Sequence, residues 1–320
     1  MSAIAEVVHR LAGIPNLHFR TEVPLSPYTR FGIGGPADVF VQTGDEAALV
    51  EAIKQCRRVG IDHLIIGGGT NLIVADEGYR GVVIRYTATR IQKENHAASA
   101  DAGAELQTLV DFSIECGLKG LETLTRIPGS VGGAIYGNAG AYGHSISESI
   151  AKVRFFDGKS IRVFNRDQCE FRYRDSVFKR RKEWCILSAH VELDPASKEE
   201  LQRAAEQIRT IRDEKFPPTM RCAGSIFKNL LLAALPADVA ARVPEHVIRE
   251  GKVPAAYFLE EVGAKGMSRG GIRVASYHAN LLYNAGGGTA KDLRALIEEL
   301  KTRVREQFGV QLEEEVQYVG

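Results

Sequence analysis

Three glycine-rich stretches in the first half of the chain limit the folds that it can adopt. They are FGIGGPAD (31–38), IIGGGTNL (65–72) and IPGSVGGAIYGNAGAYG (127–143). Glycine allows positive φ and a close approach of the backbone, so clusters of this kind commonly bind phosphate through bare N–H groups. Tight turns between strands explain a single cluster equally well, but three such clusters favour a nucleotide-binding fold.

The two usual glycine motifs for nucleotides do not fit this sequence. Gly32, Gly34 and Ala37 match G-x-G-x-x-A by spacing, but that motif has to follow a strand and open a helix. The residues after Asp38 read VFVQ, which predicts a strand, so the standard Rossmann arrangement is excluded. A P-loop is excluded as well, because no G-x-x-x-x-G-K-[ST] occurs. The sequence therefore predicts a nucleotide-binding fold of another type.

Hydrophobic periodicity predicts alternating strands and helices. Helices are predicted over 46–60, 104–117, 198–215 and 289–309, and strands over 81–86 and 271–284. Residues 63–74 predict a strand, a glycine turn and a second apolar run, and residues 152–164 predict two strand-like runs. Asp157-Gly158 is a strong hairpin signal, Thr289 and Asp292 resemble a capping box, and residues 120–146 are predicted to be irregular. Pro217-Pro218 indicates a domain boundary, because it cannot continue a helix.

Charge and cysteine usage exclude several classes of partner. With 41 basic and 40 acidic residues the net charge is +1, so no global field draws the chain to nucleic acid or to anionic lipid. The five cysteines form no C-x-x-C pair and the histidines lack metal-ligand spacing, so we expect no disulfide framework and no metal. The first residues lack a secretory signal, and the longest apolar run, LLLAAL (230–235), is too short to cross a bilayer. We expect a cytoplasmic protein that acts as a monomer.

Six segments together resemble one enzyme family. They are TRFGIGGPAD (29–38), GGGTNLIV (67–74), IPGSVGGAIYGNAGAYG (127–143), CEFRYRDSVFK (169–179), AGSIFKN (223–229) and LEEEV (312–316). In order and spacing they resemble the UDP-N-acetylenolpyruvoylglucosamine reductases, flavoenzymes that complete UDP-N-acetylmuramate in bacterial peptidoglycan synthesis. The resemblance extends over nearly the whole chain. The conjunction of segments is specific, although each segment alone is not.

The resemblance implies an α+β fold with three parts. Two subdomains would bind FAD in the manner of the vanillyl-alcohol oxidase type, and a third, α/β domain would bind the substrate. We place the FAD-binding subdomains at residues 1–85 and 86–215 and the substrate-binding domain at 216–320. The implied cofactors are FAD and NADPH, and the implied substrate is UDP-N-acetylenolpyruvoylglucosamine.

Matching the family's motifs residue by residue gives candidate FAD-binding residues in two of the glycine-rich stretches. In the first stretch they are Gly67, Gly68, Gly69, Thr70, Asn71 and Leu72. In the second they are Pro128, Gly129, Ser130, Gly132, Gly133, Asn138, Gly140 and Ala141. Small residues at these positions would let backbone amides reach the two phosphates.

The same matching assigns catalytic roles to Arg174, Ser225 and Glu315. In the family's reaction NADPH reduces the flavin, and hydride then passes to the enolpyruvyl methylene carbon, which leaves an enolate. Arg174 offers a permanent planar cation to that charge, and Glu315 would assist in its protonated form. Ser225 would protonate the adjacent carbon, so it would be a proton donor and not a nucleophile. Taken alone, each of these residues has an ordinary structural explanation; only their joint occurrence favours catalysis.

Five further residues are expected to contact the substrate, namely Tyr173, Lys215, Asn229, His278 and Asn280. Lys215 and Asn229 are matched to the diphosphate and the sugar. For His278 a satisfied, buried structural histidine is an equally good interpretation.

The sequence departs from the family's pattern at several positions. Arg126 stands where glycine is usual, Gly137 replaces a bulkier residue, and Cys222 and Leu230 replace a small polar residue and a proline. The chain also lacks the tyrosine-bearing loop that one branch of the family folds over its substrate. It therefore resembles the shorter branch.

Two other hypotheses stay open from the sequence. A sugar or alcohol oxidase of the same FAD fold would use oxygen in place of NADPH, and many such enzymes attach flavin covalently through His or Cys; residues 67–72 contain neither. A non-catalytic UDP-sugar sensor on the same scaffold would bind the substrate but no flavin.

Overall fold

The computed structural model describes residues 2–320, which divide into two units. Unit 1 contains the chain up to Val23 together with Ala37–Gly69 and Tyr79–Glu214, and unit 2 contains Pro24–Pro36, Thr70–Gly78 and Lys215–Gly320. Unit 2 thus includes two short segments from the first third of the chain. The domain boundaries given above, at residues 85 and 215, stay predictions.

Helices separate groups of strands along the chain, but five strands between residues 63 and 101 follow one another without a helix, so the predicted alternation holds only in part. The helices are α1 (Ala3–Leu11), α2 (Glu46–Val59), α3 (Leu106–Glu115), α4 (Val131–Tyr136), α5 (Val177–Arg180), α6 (Lys198–Lys215), α7 (Ala237–Ala240), α8 (Ala255–Glu261) and α9 (Ala290–Phe308). The strands are β1 (His18–Pro24), β2 (Pro36–Thr43), β3 (His63–Ile66), β4 (Leu72–Val74), β5 (Tyr79–Tyr86), β6 (Ile91–Glu94), β7 (Ala97–Asp101), β8 (Leu118–Lys119), β9 (Gly140–Ala141), β10 (His144–Ser145), β11 (Ile150–Phe156), β12 (Ile161–Asn165), β13 (Cys185–Glu192), β14 (Asp194–Pro195), β15 (Leu230–Leu231), β16 (Lys252–Val253), β17 (Ser268–Arg269), β18 (Ile272–Val274), β19 (Leu282–Asn284) and β20 (Gln317–Val319).

A four-stranded sheet in unit 1 leads into the first candidate FAD-binding turn. Its strand order is β1-β2-β5-β3, and β2, β5 and β3 run parallel. Since β3 ends at Ile66, the glycines of GGGTNL follow its carboxyl end directly. Helix α2 begins after Asp45, whose carboxylate accepts a hydrogen bond from the Ala48 N–H (2.9 Å), and ends at Gly60 with φ of 72°. The predicted helix over 46–60 and the predicted strand that excluded a Rossmann arrangement are both confirmed.

The second sheet of unit 1 is antiparallel, with strand order β12-β11-β13-β7-β6. The predicted hairpin is confirmed, because Phe156 pairs with Ile161 across the turn and Gly158 adopts φ of 93°. On β11 the buried ring of Phe155 packs edge-on against Phe178, with 5.1 Å between ring centroids. This contact anchors α5, which follows the segment that carries Arg174.

Residues 120–146 are more regular than the sequence predicts. They contain the short helix α4 and the paired strands β9 and β10. Glycine and alanine dominate α4, and the low helix propensity of glycine hides such a helix from the sequence. Ser130 starts it, because the Ser130 Oγ accepts a hydrogen bond from the Gly133 N–H (3.2 Å).

In unit 2, α9 packs against α8 and against the sheet β17-β18-β19. Two further pairs of strands, β15-β16 and β20-β4, complete its sheets, and β20 runs parallel to β4. The predicted final helix is confirmed: Thr289 and Asp292 form a capping box, and Gly309 ends the helix with φ of 65°. Across residues 2–320, no helix combines the length and the apolar character needed to cross a bilayer.

Candidate active site

Two of the predicted FAD-binding stretches lie against each other in unit 1. A Cβ on Gly67 would lie only 2.2 Å from the Ser130 Oγ, and a Cβ on Gly132 would lie 2.9 Å from the Ala102 Cβ. Neither position has room for a side chain. The turn after β3 therefore contacts the segment 127–143, which we call the cofactor loop.

The cofactor loop presents bare backbone at several points. Gly129 has φ of 123°, a conformation that side chains rarely allow. A Cβ on Gly140 would lie 2.3 Å from the carbonyl oxygen of His144. Backbone without side chains lets N–H groups approach phosphate oxygens closely. The residues of this loop therefore fit the diphosphate of a nucleotide cofactor such as FAD.

Arg174 lies at the third position of a tight turn over residues 172–175, which we call the Arg174 turn. The N–H of Arg172 donates to the Asp175 carbonyl (3.0 Å), and the N–H of Asp175 donates to the Arg172 carbonyl (3.1 Å). Arg174 has φ of 55°, which glycine adopts freely and arginine adopts only with strain. Strain of this kind persists where neighbouring bonds hold it, and it often accompanies function.

Side-chain hydrogen bonds hold the Arg174 turn on the cofactor loop. The Ser176 Oγ donates to the Tyr136 carbonyl (2.8 Å), and the Arg174 Nη2 donates to the Gly140 carbonyl (2.7 Å). The Lys179 Nζ donates to the carbonyl of Arg174 itself (3.0 Å). Ser176 and Lys179 were not predicted to be functional, and the only sequence signal for them is that they lie in the segment YRDSVFK.

Two asparagines that were predicted to bind FAD use their side-chain amides within the protein. In unit 1, the Asn138 Nδ2 donates to the Arg172 carbonyl (2.9 Å). In unit 2, the Asn71 Nδ2 donates to the Glu315 carbonyl (2.9 Å). Each amide therefore supports a backbone segment that carries a predicted catalytic residue, Arg174 in one case and Glu315 in the other.

The Ser225 segment (residues 225–229) lies between two other segments of unit 2. On one side Ser225 pairs with Leu281, and the Ile226 N–H donates to the Asn280 carbonyl (3.1 Å). On the other side the Glu315 N–H donates to the Ile226 carbonyl (2.7 Å). Backbone pairing thus brings the Ser225 segment and Glu315 together, although they are far apart in sequence.

Asn280 holds the Ser225 segment through its side chain. The Asn280 Oδ1 accepts from the Phe227 N–H (2.9 Å), and the Asn280 Nδ2 donates to the Phe227 carbonyl (2.9 Å). Asn280 is only 3% exposed. The structure therefore places the amide of this residue, which was predicted to contact the substrate, on the backbone next to Ser225.

The two glutamates before Glu315 are paired with lysines. Glu313 pairs with Lys228 of the Ser225 segment, and Glu314 accepts a hydrogen bond from the Lys301 Nζ (2.8 Å). The pair formed by Lys228 and Glu313 joins the side chains of the same two segments that the backbone joins. It therefore reinforces the position of the Glu315 backbone against the Ser225 segment.

His278 has a ring nitrogen that its surroundings leave unsatisfied. Its buried Nε2 has no hydrogen-bond partner among residues 2–320, so the alternative of a fully satisfied structural histidine does not fit. Burial, with smaller contributions from Lys215 and Lys265, lowers the pKa of His278 to about 4. The imidazole is therefore neutral at neutral pH, and its Nε2 can meet a ligand group.

The other predicted substrate contacts, Tyr173, Lys215 and Asn229, are exposed. In unit 1 the Arg174 guanidinium carbon lies 5.5 Å from the centroid of the Tyr173 ring, within reach of a cation–π interaction. In unit 2 the Tyr277 hydroxyl, which the sequence analysis did not consider, donates to the Lys215 carbonyl (3.1 Å). The described residues 2–320 contain no group of three or more His, Cys, Asp and Glu placed to hold a metal ion.

Two family models match the chain. A model described as an FAD binding domain matches residues 37–162, and the model of the UDP-N-acetylenolpyruvoylglucosamine reductase C-terminal domain matches residues 216–319. The first match includes the turn after β3 and the cofactor loop. The second includes Ser225 and Glu315.

Individual proteins match nearly the whole chain. The UDP-N-acetylenolpyruvoylglucosamine reductase of Solibacter usitatus is 61% identical over 311 residues, which are 97% of this chain and 100% of that protein. The reductase of Bacillus subtilis is 34% identical over 300 residues, 93% of this chain and 92% of that protein. The crystal structure of the reductase from Thermus caldophilus matches with a TM-score of 0.74 and 29% identity, and covers 95% of this chain and 100% of that chain.

These matches confirm the predicted α+β, FAD-binding fold of the vanillyl-alcohol oxidase type. They also favour the reductase over the oxidase, because the model that matches residues 216–319 is described as the C-terminal domain of the reductase. The chain belongs to the UDP-N-acetylenolpyruvoylglucosamine reductase family.

Proposed function

We propose that this protein reduces UDP-N-acetylenolpyruvoylglucosamine to UDP-N-acetylmuramate, with NADPH as the hydride source and FAD as the bound carrier. Family membership supports the reaction, and the FAD binding domain match supports the cofactor. One observation supports the catalytic roles proposed for Ser225 and Glu315. The Glu315 N–H donates a hydrogen bond of 2.7 Å to the carbonyl of Ile226, the residue that follows Ser225. The backbone segments that carry the proposed hydroxyl donor and Glu315 are thus adjacent in unit 2.

The diphosphate of FAD would bind to the backbone of Gly67, Gly68, Gly69 and the cofactor loop. The chemistry supplied by bound FAD would be hydride transfer, from NADPH to the methylene carbon of the enolpyruvyl group. Gly67 lies so close to Ser130 that a Cβ would not fit between them, so the two glycine-rich stretches are adjacent. The protein's contribution here is backbone that a diphosphate could approach closely, because the glycines carry no side chain.

Ser225 is the proposed proton donor. After hydride reaches the methylene carbon, the neighbouring carbon carries negative charge that is delocalised into the carboxylate, and this carbon needs a proton. A serine hydroxyl is a weak acid in water, but a carbanion-like carbon is a strong base, so a well-placed hydroxyl suffices. The backbone pairing of Ser225 with Leu281 and the amide of Asn280 keep that hydroxyl's segment in place.

Arg174 and Glu315 would stabilise the enolate. The planar guanidinium of Arg174 suits a carboxylate, and its bond to Gly140 fixes the guanidinium before the substrate arrives. Glu315 would donate a hydrogen bond in its protonated form. Preorganised donors of this kind are worth about 3–4 kcal/mol each when removed.

Substrate contacts are proposed for Tyr173, Lys215, Asn229, His278 and Asn280. The ammonium group of Lys215 suits the diphosphate of the substrate. His278 would use the Nε2 of its neutral imidazole, because its pKa lies at about 4. Asn280 would act mainly through its two bonds to Phe227.

The cellular role would follow from the product, which is a peptidoglycan precursor. We place the enzyme in the cytoplasm, where its nucleotide substrates are found, and propose that it acts as a monomer. Residues 1–85 and 86–215 would form the two FAD-binding subdomains, and residues 216–320 would form the substrate-binding domain.

Product analysis in deuterated water tests this proposal. The protein is supplied with FAD, NADPH and UDP-N-acetylenolpyruvoylglucosamine, and the product is characterised by mass spectrometry and NMR. We expect NADPH oxidation that depends on the substrate, and one solvent deuterium on the carbon next to the carboxylate. NADPH oxidation that requires oxygen and leaves the substrate unchanged would contradict the proposal.

A further inference from the structure

Arg126 has a strained backbone at the entrance to the cofactor loop. Its φ is 66°, which lies in the left-handed region that glycine adopts freely. An arginine held there costs conformational free energy that a glycine would not. The bonds made by Arg126 have to offset this cost.

Both the backbone and the side chain of Arg126 are anchored within unit 1. The Arg126 N–H donates to the Gln107 Oε1 on α3 (2.6 Å). The guanidinium forms a two-pronged pair with Asp213, from Nε to Oδ1 (2.8 Å) and from Nη2 to Oδ2 (2.7 Å). Such pairs are stronger and more fixed in direction than single contacts. Arg126 lowers the pKa of Asp213, and Arg209 and Arg212 lower it further, so the carboxylate stays ionised.

This ion pair connects the cofactor loop to a long helix. Asp213 lies in the last turn of α6, which is 18 residues long. The proposed FAD-binding residues Pro128, Gly129 and Ser130 follow Arg126 closely in sequence. Their backbone position therefore depends on where the helix holds Arg126. A binding loop that is already fixed loses less conformational freedom when its ligand binds.

We propose that Arg126 is a positioning residue for FAD: its ion pair with Asp213 holds the entrance of the cofactor loop in the binding conformation. Breaking the pair weakens FAD binding without removing a contact to FAD. This inference rests on the proposed FAD site. It adds to that site a support from outside the glycine-rich stretches.

Titration of the apoprotein with FAD, followed by the quenching of flavin fluorescence, measures this effect. Asp213→Asn preserves the shape of the side chain but removes its charge, and we expect it to raise the Kd for FAD about tenfold. Arg126→Lys keeps the charge but loses the planar fork, and we expect a smaller rise. This second variant also provides a test if Asp213→Asn does not fold.

Glu46→Gln is the matched control. Glu46 forms a two-pronged pair with Arg154 in the same unit. The side chains of that pair are 38% and 32% exposed, against 36% and 34% for Arg126 and Asp213. Glu46 lies in α2, outside the cofactor loop. We therefore expect Glu46→Gln to lower the Tm by about as much as Asp213→Asn and to leave the Kd for FAD unchanged.

The outcomes separate this inference from the proposed function. A higher Kd in Asp213→Asn and Arg126→Lys, but not in Glu46→Gln, supports the positioning role. A wild-type Kd in both Arg126 and Asp213 variants overturns it, and so does an equal rise in Asp213→Asn and Glu46→Gln. If wild-type apoprotein binds no FAD, the FAD site itself is wrong.

Discussion

The Nη2 atom of Arg174 donates a hydrogen bond of 2.7 Å to the carbonyl oxygen of Gly140. Because the acceptor is a backbone atom of the cofactor loop, the proposed catalytic cation and the proposed cofactor-binding backbone are held together in unit 1. Unit 2 contains a similar relationship, in which the Asn71 Nδ2 donates to the Glu315 carbonyl at 2.9 Å. In both units, predicted cofactor residues support a predicted catalytic residue.

Ser225→Ala tests the proton donor. We expect flavin reduction by NADPH to stay near the wild-type rate, since that step needs no proton from Ser225. Reoxidation by the enolpyruvyl substrate should slow by at least about 10²-fold. Stopped-flow absorbance measures the two half-reactions separately. Ser268→Ala, at an exposed serine of β17, is the control. An unchanged rate of reoxidation in Ser225→Ala would show that Ser225 is not the proton donor.

Glu315→Gln and Glu315→Ala together test the role of Glu315 as a neutral hydrogen-bond donor. Glutamine keeps a neutral donor at nearly the same place, whereas alanine removes it. We therefore expect the glutamine variant to keep much more of kcat, with a loss of about 10²-fold or more in the alanine variant. Glu306→Gln, at an exposed position on α9, serves as the control. Equal losses in the two Glu315 variants would contradict this role.

Arg174→Gly and Arg174→Ala test the strain at the Arg174 turn. The φ of 55° suits glycine and not alanine, so we expect the glycine variant to be more stable than the alanine variant by about 1 kcal/mol. Both variants should lose activity in the reduction of the substrate, because neither has a cation at position 174. Urea unfolding and turnover assays give the two quantities. Equal stability of the two variants would show that the turn relaxes when arginine is absent.

The lowered pKa of His278 predicts that the folded protein loses stability in acid. Its pKa in the folded protein is about 4, below the ordinary value of 6.5, so below pH 6.5 the unfolded chain takes up a proton before the folded chain does. Stability from this residue is therefore complete above pH 6.5 and falls as the pH drops towards 4, by up to about 3 kcal/mol.

His278→Gln cannot take up this proton and is the variant that isolates the effect. We expect its free energy of unfolding, measured in urea over a series of pH values, to fall less steeply than that of the wild type in this range. Parallel pH dependence in the two proteins would contradict the depressed pKa.

Local signals in the sequence were enough to predict the main helices. Helix α2 ends at Gly60, and helix α9 begins at the capping box of Thr289. Each of these signals involves only a few neighbouring residues. The pairing of the Ser225 segment with Glu315 could not be predicted in this way. It joins distant parts of the chain through a few backbone bonds and leaves no periodic pattern.

The asparagines show a second limit of sequence reasoning. Asn71 and Asn280 were assigned to ligands because their residue type and motif suit binding. In the structure their amides form hydrogen bonds with the backbone of Glu315 and Phe227. An amide that binds a ligand and an amide that supports the binding segment look the same in sequence, since both need the same donor and acceptor groups.

The most direct test of the proposed reaction is anaerobic mixing of the FAD-loaded protein, first with NADPH and then with UDP-N-acetylenolpyruvoylglucosamine, while the flavin absorbance is recorded. We expect NADPH to bleach the flavin and the colour to return only when the enolpyruvyl substrate is added. A reduced flavin that this substrate leaves bleached, and that only oxygen reoxidises, would contradict the proposed reaction.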